Sequence, residues 1–308
     1  MLAHPDKTLV IILGPTGSGK SDLAVRLAQK LDTEIVSVDS RQIYRGMAIG
    51  TAQPSTEQQR AVPHHFIASH EIDDAFTCGR YETEAIALLD RLFAVRDVVV
   101  AVGGSGLYID ALCNGMDSLP EGDPELRREL MRRLTENGLW SLAEELKRLD
   151  PEYYERIDRQ NPQRIVRALE VCLQTGRTYS SLRKGTATKR DFDIIKIGML
   201  LPREELYARI DRRVEAMMEA GLDAEARALY PYRQLNALQT VGYRELFDHF
   251  DGRRSLESAV ELVKRNSRRY AKRQMTWFGR DKAIAWFDPR DPTAIEEHLK
   301  IIFRQVND

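Results

Sequence analysis

Short, unbroken apolar runs recur along the chain, each bounded by charged or turn-forming residues. Thr8 to Leu13 (TLVIIL), Glu34 to Val38 (EIVSV), Asp97 to Val102 (DVVVAV), Phe192 to Leu201 (FDIIKIGMLL) and Lys282 to Phe287 (KAIAWF) are of this kind. Runs without polar alternation, rich in Val and Ile, read as strands buried on both faces of a parallel sheet. Between them the apolar period changes to that of helices. Leu23, Ala24, Leu27, Ala28 and Leu31 mark one helix, 80–95 a second, 203–220 a third and 292–306 a closing one. Strands alternating with helices predict an α/β fold with a parallel sheet.

The alternation is interrupted after about residue 117. Pro120, Gly122 and Pro124 punctuate a linker, and residues 125–134, 139–149 and 162–175 then read as three successive charge-rich helices. Gly176 is placed to cap the last of them. The expected organisation is a core of residues 1–116 and 191–308, with 117–190 inserted as an all-helical domain. Residues 45–62, broken by Gly46, Gly50 and Pro54, read as loop, and 241–245 (VGYRE) opens another helix.

The turn between the first strand and first helix is Gly14-Pro15-Thr16-Gly17-Ser18-Gly19-Lys20-Ser21. It fits the phosphate-loop pattern G-x-x-x-x-G-K-[ST], in the strand–loop–helix order that pattern requires. Glycines let backbone N–H groups approach phosphate oxygens, and the helix N-terminus adds partial positive charge. Lys20 can reach a terminal phosphate, and the Ser21 hydroxyl can hold Mg²⁺ on it. The core therefore reads as a P-loop NTPase-like sheet, and the loop predicts a phosphorylated ligand without saying which.

Other polar groups fall at the same rim, because ligands of open α/β sheets sit at the carboxyl ends of the strands. Asp39 ends the second strand; it is a metal ligand or general base, or equally a turn-capping aspartate. Gly103-Gly104-Ser105-Gly106 ends the next strand and offers close backbone approach and a hydroxyl. Arg209 and Arg213 lie four apart on one helix face, so both can address one anion, although Glu205 can instead pair with Arg209. Arg164 and Arg167 share a face in the helical insertion, with surface ion pairing as the bland alternative. His64-His65 lacks further ligands at workable spacing and reads as packing or local hydrogen bonding.

Composition adds bounds. The 308 residues, 43% hydrophobic and 30% charged, describe a globular chain with a sizeable core, and a net charge of −1 announces no nucleic-acid binder. The distribution does: 253–282 carries ten basic residues against three acidic, a local net of +7. Arg265, Arg268, Arg269, Lys272 and Arg273 share one broad helix face, a footprint for a phosphate backbone rather than merely a solvated face. Three scattered cysteines suit a reducing cytosol, and no run is long enough for a membrane span or signal peptide. The expectation is a cytoplasmic protein without membrane contact.

The stretch 37–47 (SVDSRQIYRGM), then Ile49-Gly50-Thr51-Ala52, Gly103 to Tyr108, 162–171 (PQRIVRALEV), 241–245 and Tyr270 to Phe278 (YAKRQMTWF) together resemble the bacterial tRNA dimethylallyltransferases, in family order over nearly the whole chain. The resemblance implies transfer of a dimethylallyl group from dimethylallyl diphosphate to N6 of the adenosine 3′ to the anticodon, in tRNAs reading codons that begin with U. It implies a diphosphate in the loop Gly14–Ser21, helped by Arg209 and Arg213, with Mg²⁺ on Ser21 as cofactor. It makes Asp39 the general base, with Thr16, Lys20 and Ser21 as the other catalytic groups. It places Asp39, Ser40, Arg41, Gln42, Ser105, Arg127 and Gln163, Arg164, Ile165, Val166, Arg167 against tRNA. Val241, Gly242, Tyr243 and Arg244, and the helix from Ser267 to Gln274 with Arg268, Arg269, Lys272 and Arg273, would add further contacts. The helical insertion would grip the anticodon stem-loop, and the protein would act as a monomer.

Ala48, Gln53, Asn161 and Ser105 depart from the residues usual in that family, and none of them removes a proposed catalytic group. Three rivals share part of the pattern. A small-molecule kinase would use the phosphate loop with ATP but leaves the basic helix unexplained. An adenylate dimethylallyltransferase acting on free nucleotide needs no such surface. A non-catalytic RNA binder needs no Lys20-Ser21 pair.

Overall fold

The computed structural model describes residues 7–117, 119–183, 185 and 187–307, and the polar residues 1–6 lie outside them. In chain order the core runs β1 (Thr8–Leu13), α1 (Lys20–Lys30), β2 (Ile35–Val38), α2 (Thr56–Ala61), β3 (His64–His65), α3 (Cys78–Phe93), β4 (Val98–Gly103) and α4 (Gly106–Asn114). A run of helices follows: α5 (Pro124–Leu149), α6 (Pro151–Arg156), α7 (Pro162–Thr175) and α8 (Tyr179–Leu182). The chain then returns through β5 (Asp193–Met199), α9 (Arg203–Glu219), α10 (Leu222–Leu229), α11 (Tyr243–Phe250), α12 (Leu256–Phe278), β6 (Ile284–Phe287) and α13 (Pro292–Asn307).

The six strands form one parallel sheet in the order β3-β2-β4-β1-β5-β6. β1 lies between β4 and β5, with Leu9 opposite both Val99 and Ile194. Every residue of β1 is buried, because helices cover both faces of the sheet. Leu9, Ile11 and Leu13 join one core with residues of α3, α4, α10, α11 and α12. Val10 and Ile12, pointing the other way, join a second with Leu23, Ala24 and Leu27 of α1 and Ile295 and Leu299 of α13. The continuous apolar runs are thus two alternating half-strands, each with its own partner layer.

Contacts divide the chain into two compact units, residues 1–113 with 189–308, and 114–188. The second is helical and has a separate core, in which Leu130, Leu142, Leu146, Ile165, Val166 and Leu169 are fully buried. Its long helix breaks at Gly138, whose φ of 76° and ψ of 167° are not helical, so 125–134 and 139–149 are two helical segments meeting at a kink. Asp123, Asp150 and Asn161 cap α5, α6 and α7 through side-chain acceptors, and Pro stands at the first turn of each. Gly176 ends α7 at a φ of 65°.

Two elements depart from the sequence reading. Within 45–62, expected as loop, α2 forms under a capping box between Ser55 and Gln58. His64-His65 is a two-residue edge strand. His64 Nδ1 lies 2.8 Å from the Val62 carbonyl, and His65 Nε2 is 2.7 Å from Glu34, so both histidines serve local bonding. Among the described residues, no helix is long and apolar enough to cross a membrane.

Candidate active site

The phosphate loop leaves β1 at the point where strand order turns to either side, the position that gathers ligands in such sheets. Gly19, at a φ of 84°, opens α1, so the loop's last turn presents N–H groups with no side-chain cap. Ser18 is wholly buried and its hydroxyl finds no partner among the described residues. Lys20 Nζ donates to the Pro15 carbonyl at 3.2 Å, folded back onto its own loop. Burial, and then the Arg213 guanidinium, lower its pKa to about 8, against a smaller pull from Asp39. Arg213 is also lowered by burial, while Asp39 and Asp22 favour its charge.

A cavity of about 140 Å³ opens beside this loop. Thr16, Lys20, Ser21 and Arg213 line one part of it, and Asp39 adjoins them. Ile210, Val214, Met217, Val241 and Val263 form an apolar wall. One end therefore attracts phosphate oxygens while the wall excludes water from a short hydrocarbon.

Asp39 ends β2 and caps the turn that follows. Its Oδ1 accepts the backbone N–H groups of Arg41 at 2.9 Å and Gln42 at 3.3 Å. Ser40 N–H donates to Ser105 Oγ at 3.0 Å, tying this turn to the end of β4. Arg41 donates to the Asn236 carbonyl at 2.7 Å, and Gln42 to the Ala52 carbonyl at 2.9 Å. The four residues of the block are thus held in place by bonds within the protein.

Arg209 and Arg213 are placed differently. Arg213 lies in the cavity wall. Arg209 donates to Glu205 at 3.0 Å, the intrahelical pair, yet its Nη1 would be 3.8 Å from a Cβ at Gly19, beside the loop.

Helix α12 supplies what the sequence did not announce. Gln274 is 7% exposed. Its Oε1 accepts the Thr16 N–H at 2.9 Å, and its Nε2 donates to the Gly104 carbonyl at 2.8 Å. A Cβ at Gly104 would lie 2.3 Å from that nitrogen, so the contact requires glycine. Tyr270, one turn earlier, lines the cavity close to Ser105. Burial first, then the Asp39 charge, push its phenol up to about 12. In the sequence both fall in the basic run and in the block Tyr270 to Phe278, which pointed to tRNA contact rather than to a bond with the phosphate loop.

Several residues expected to contact tRNA have side chains that are buried or paired within the protein. Tyr243 is fully buried, its hydroxyl donating to Glu225 at 2.7 Å, while that carboxylate accepts the N–H groups of Ile49 and Gly50 at 2.8 Å each. Ile165 and Val166 are fully buried in the helical unit's core. The side chains of these three pack into cores, as apolar and aromatic bodies at helix positions facing a core do. Arg127 and Arg167 both pair with the buried Glu170, at 3.3 and 2.7 Å, and Arg167 also reaches the Pro120 carbonyl at 2.7 Å. Gln163 and Arg164 are exposed, and Arg127 also donates to Gln163 at 3.1 Å. Val241 lines the cavity, Gly242 is buried, and Arg244 is exposed. On α12, Arg265, Arg269, Lys272 and Arg273 are exposed, while Arg268 pairs with Asp211 of α9. No group of three or more His, Cys, Asp or Glu side chains that could hold a metal occurs among the described residues.

The family described as IPP transferase matches residues 42–281. The chain is 48% identical to tRNA dimethylallyltransferase 1 of Phocaeicola vulgatus, over 96% of this chain and 98% of that protein. The crystal structure of a full-length tRNA isopentenylpyrophosphate transferase from Bacillus halodurans superimposes with a TM-score of 0.72 at 35% identity, covering 98% of each chain. A eukaryotic dimethylallyltransferase solved acting on tRNA gives 0.80 at 26% identity, over 95% of this chain and 78% of that one. With matches spanning both the phosphate loop and the basic helix, the chain belongs to the IPP transferase family.

Proposed function

We propose that the protein transfers a dimethylallyl group from dimethylallyl diphosphate to N6 of the adenosine 3′ to the anticodon, in tRNAs reading codons that begin with U, releasing diphosphate. The observation that carries this reading is the composition of one cavity. Phosphate-binding groups, a carboxylate and an apolar wall adjoin in it, which suits a short prenyl diphosphate meeting a nitrogen nucleophile. The relatives' names give the same reaction class.

The adenine N6 lone pair forms a bond to the allylic C1 as the C1–O bond to diphosphate breaks, and one N6 proton leaves. Asp39 would take that proton; its Oδ2 accepts no hydrogen bond from a described residue. Charge building on the bridging oxygen would be met by Lys20, by Arg213 and by the N–H groups at the start of α1. Lys20 would exchange the Pro15 carbonyl for a phosphate oxygen. Ser21 and Thr16, hard oxygen donors in the cavity wall, fit Mg²⁺ held chiefly by substrate oxygens and water, there being no carboxylate cluster among the described residues. When bound, the ion would supply further neutralisation of the leaving group. The exposed arginines and lysine of α12 would take tRNA phosphates, the helical unit would bind the anticodon stem-loop, and the protein would work as a cytoplasmic monomer.

The test is mass spectrometry of an unmodified anticodon stem-loop incubated with protein, Mg²⁺ and dimethylallyl diphosphate, ATP omitted. One added dimethylallyl group on the adenosine 3′ to the anticodon supports the reading. Product on free adenine nucleotide alone, or ATP consumption without transfer, overturns it.

A further inference from the structure

Gln274 and Tyr270 stand one turn apart on α12, on the side opposite to the exposed Lys272, with the exposed Arg273 flanking them and its guanidinium 5.7 Å from the Tyr270 ring centre. Between them they reach the phosphate loop and the turn that ends β4. Gln274 takes the Thr16 N–H of the phosphate loop and gives its own amide proton to the Gly104 carbonyl at the end of β4. Tyr270 lies close to Ser105, whose hydroxyl receives the N–H of Ser40, the residue after Asp39. Thr16 and Gly104 lie 258 and 170 residues from Gln274 in sequence. Without α12 neither peptide has this partner.

The amide is suited to the task in a way other side chains are not. It offers one acceptor and one donor at opposite corners of a plane, and here each meets the complementary backbone group. A buried, fully used side-chain amide holds two loops at a set separation, and its loss leaves a backbone N–H and a carbonyl both unpaired. Its exposure, 7%, rules out direct RNA contact as its main use.

We propose that Gln274, assisted by Tyr270, is a positioning residue: it fixes the phosphate loop against the β4 turn, and through Ser105 and Ser40 the Asp39 turn, from the helix that carries the basic face. Placement of the leaving diphosphate relative to the general base then depends on side-chain bonds to the loop backbones, made from the cavity's rim. The proposal rests on the transfer reading for its kinetic readout, and has a binding readout that does not.

Gln274→Met keeps the length of the side chain and removes both hydrogen bonds. Three quantities are measured on the full chain, beside wild type: affinity for an unmodified anticodon stem-loop, affinity for inorganic diphosphate with Mg²⁺, and the single-turnover rate with both substrates saturating. The expected result is RNA affinity within about twofold of wild type, diphosphate affinity weaker by at least about fivefold, and a rate lower by about 30-fold or more, the cost of a small misplacement of reacting groups. Gly104→Ala, which drives a methyl into the amide from the other side, should give the same pattern. The double variant should lose little beyond either single one, as for two changes in one contact. Tyr270→Phe, a milder change, should lower the rate with RNA affinity kept. Diphosphate affinity and rate both within twofold of wild type in Gln274→Met overturn the proposal, as do fully additive losses in the double variant. Failure of wild type to transfer the prenyl group would sink the transfer reading alone, because diphosphate affinity still separates the variants.

Discussion

Asp39 Oδ1 accepts the Arg41 backbone N–H at 2.9 Å, so one oxygen of the proposed base is committed to its own turn while the other is not. The two uses that the sequence leaves open for this residue, turn cap and base, are compatible on one carboxylate. They are separable by substitution. Asp39→Asn keeps an acceptor for Arg41 and Gln42 but has no basic oxygen, and the expected single-turnover rate falls about 10²- to 10⁴-fold with stem-loop affinity unchanged. Asp39→Ala should lose turnover equally and lower the melting temperature as well, since the turn loses its cap. An Asn variant with the wild-type rate would remove Asp39 from the chemistry.

Lys20 sits near the point of half-protonation at pH 8 because burial and Arg213 disfavour its charge. A bound diphosphate restores that charge, so binding takes up protons. Above pH 8 diphosphate affinity should fall by up to about tenfold per pH unit, as expected when only the protonated form binds. Calorimetry in buffers of different ionisation enthalpy should give net proton uptake near pH 8 and almost none at pH 6. In the ligand-free protein the sign is opposite to that of a stabilising ion pair. The unfolded chain, with Lys at 10.5, binds more protons, so this group adds stability as pH rises from about 8 towards 10.5.

The basic helix is not uniformly free. Arg269 and Arg273 are exposed, whereas Arg268 is joined to Asp211. Charge reversal at Arg269 and Arg273 together should weaken stem-loop binding about tenfold or more at low salt, with a shallower dependence on salt than wild type. Arg268→Ala should act mostly on stability, through the Asp211 it leaves behind. Filter-binding titrations over a salt series, with melting curves on the same variants, distinguish the two. Equal salt slopes for the reversal variant and wild type would argue against the phosphate footprint.

Tyr243 anchors α11 to the Gly50 turn through Glu225. Tyr243→Phe should cost about 1–3 kcal/mol of stability, the penalty of a buried acceptor losing its partner, and leave stem-loop affinity within about twofold. Chemical denaturation and binding measured on the same preparation check both halves. A selective loss of RNA affinity would return Tyr243 to the interface.

Most of the sheet was legible because parallel strands covered on both faces cannot hide their apolar runs, and β1, β2, β4, β5 and β6 fall on the runs read from the sequence. β3 was not, since two histidines on a sheet edge carry no period. α2 left a signal that went unused: Ser55-Thr56-Glu57-Gln58 is a capping box within a stretch read as loop for its glycines and proline. The same asymmetry holds at the cavity. Its phosphate end is one contiguous motif, legible in eight letters. Gln274 is 258 residues from the Thr16 it holds, and only the return of the chain through β5 and α9 brings the two together. Tyr243 and Arg244 were adjacent letters of one recognisable block, yet one is inside and the other outside, because adjacent helix positions point about 100° apart.

The helical unit begins and ends side by side: Thr188 N–H donates to the Asn114 carbonyl at 2.7 Å, and Asp117 accepts from Gly185 at 3.0 Å. Its two chain ends therefore lie together, and the unit has its own buried core. An element joined in this way behaves like a cassette. It can be exchanged for another, or replaced by a few turn residues linking 113 to 189, without stretching α4 or β5, because the gap to be bridged is that of one backbone hydrogen bond.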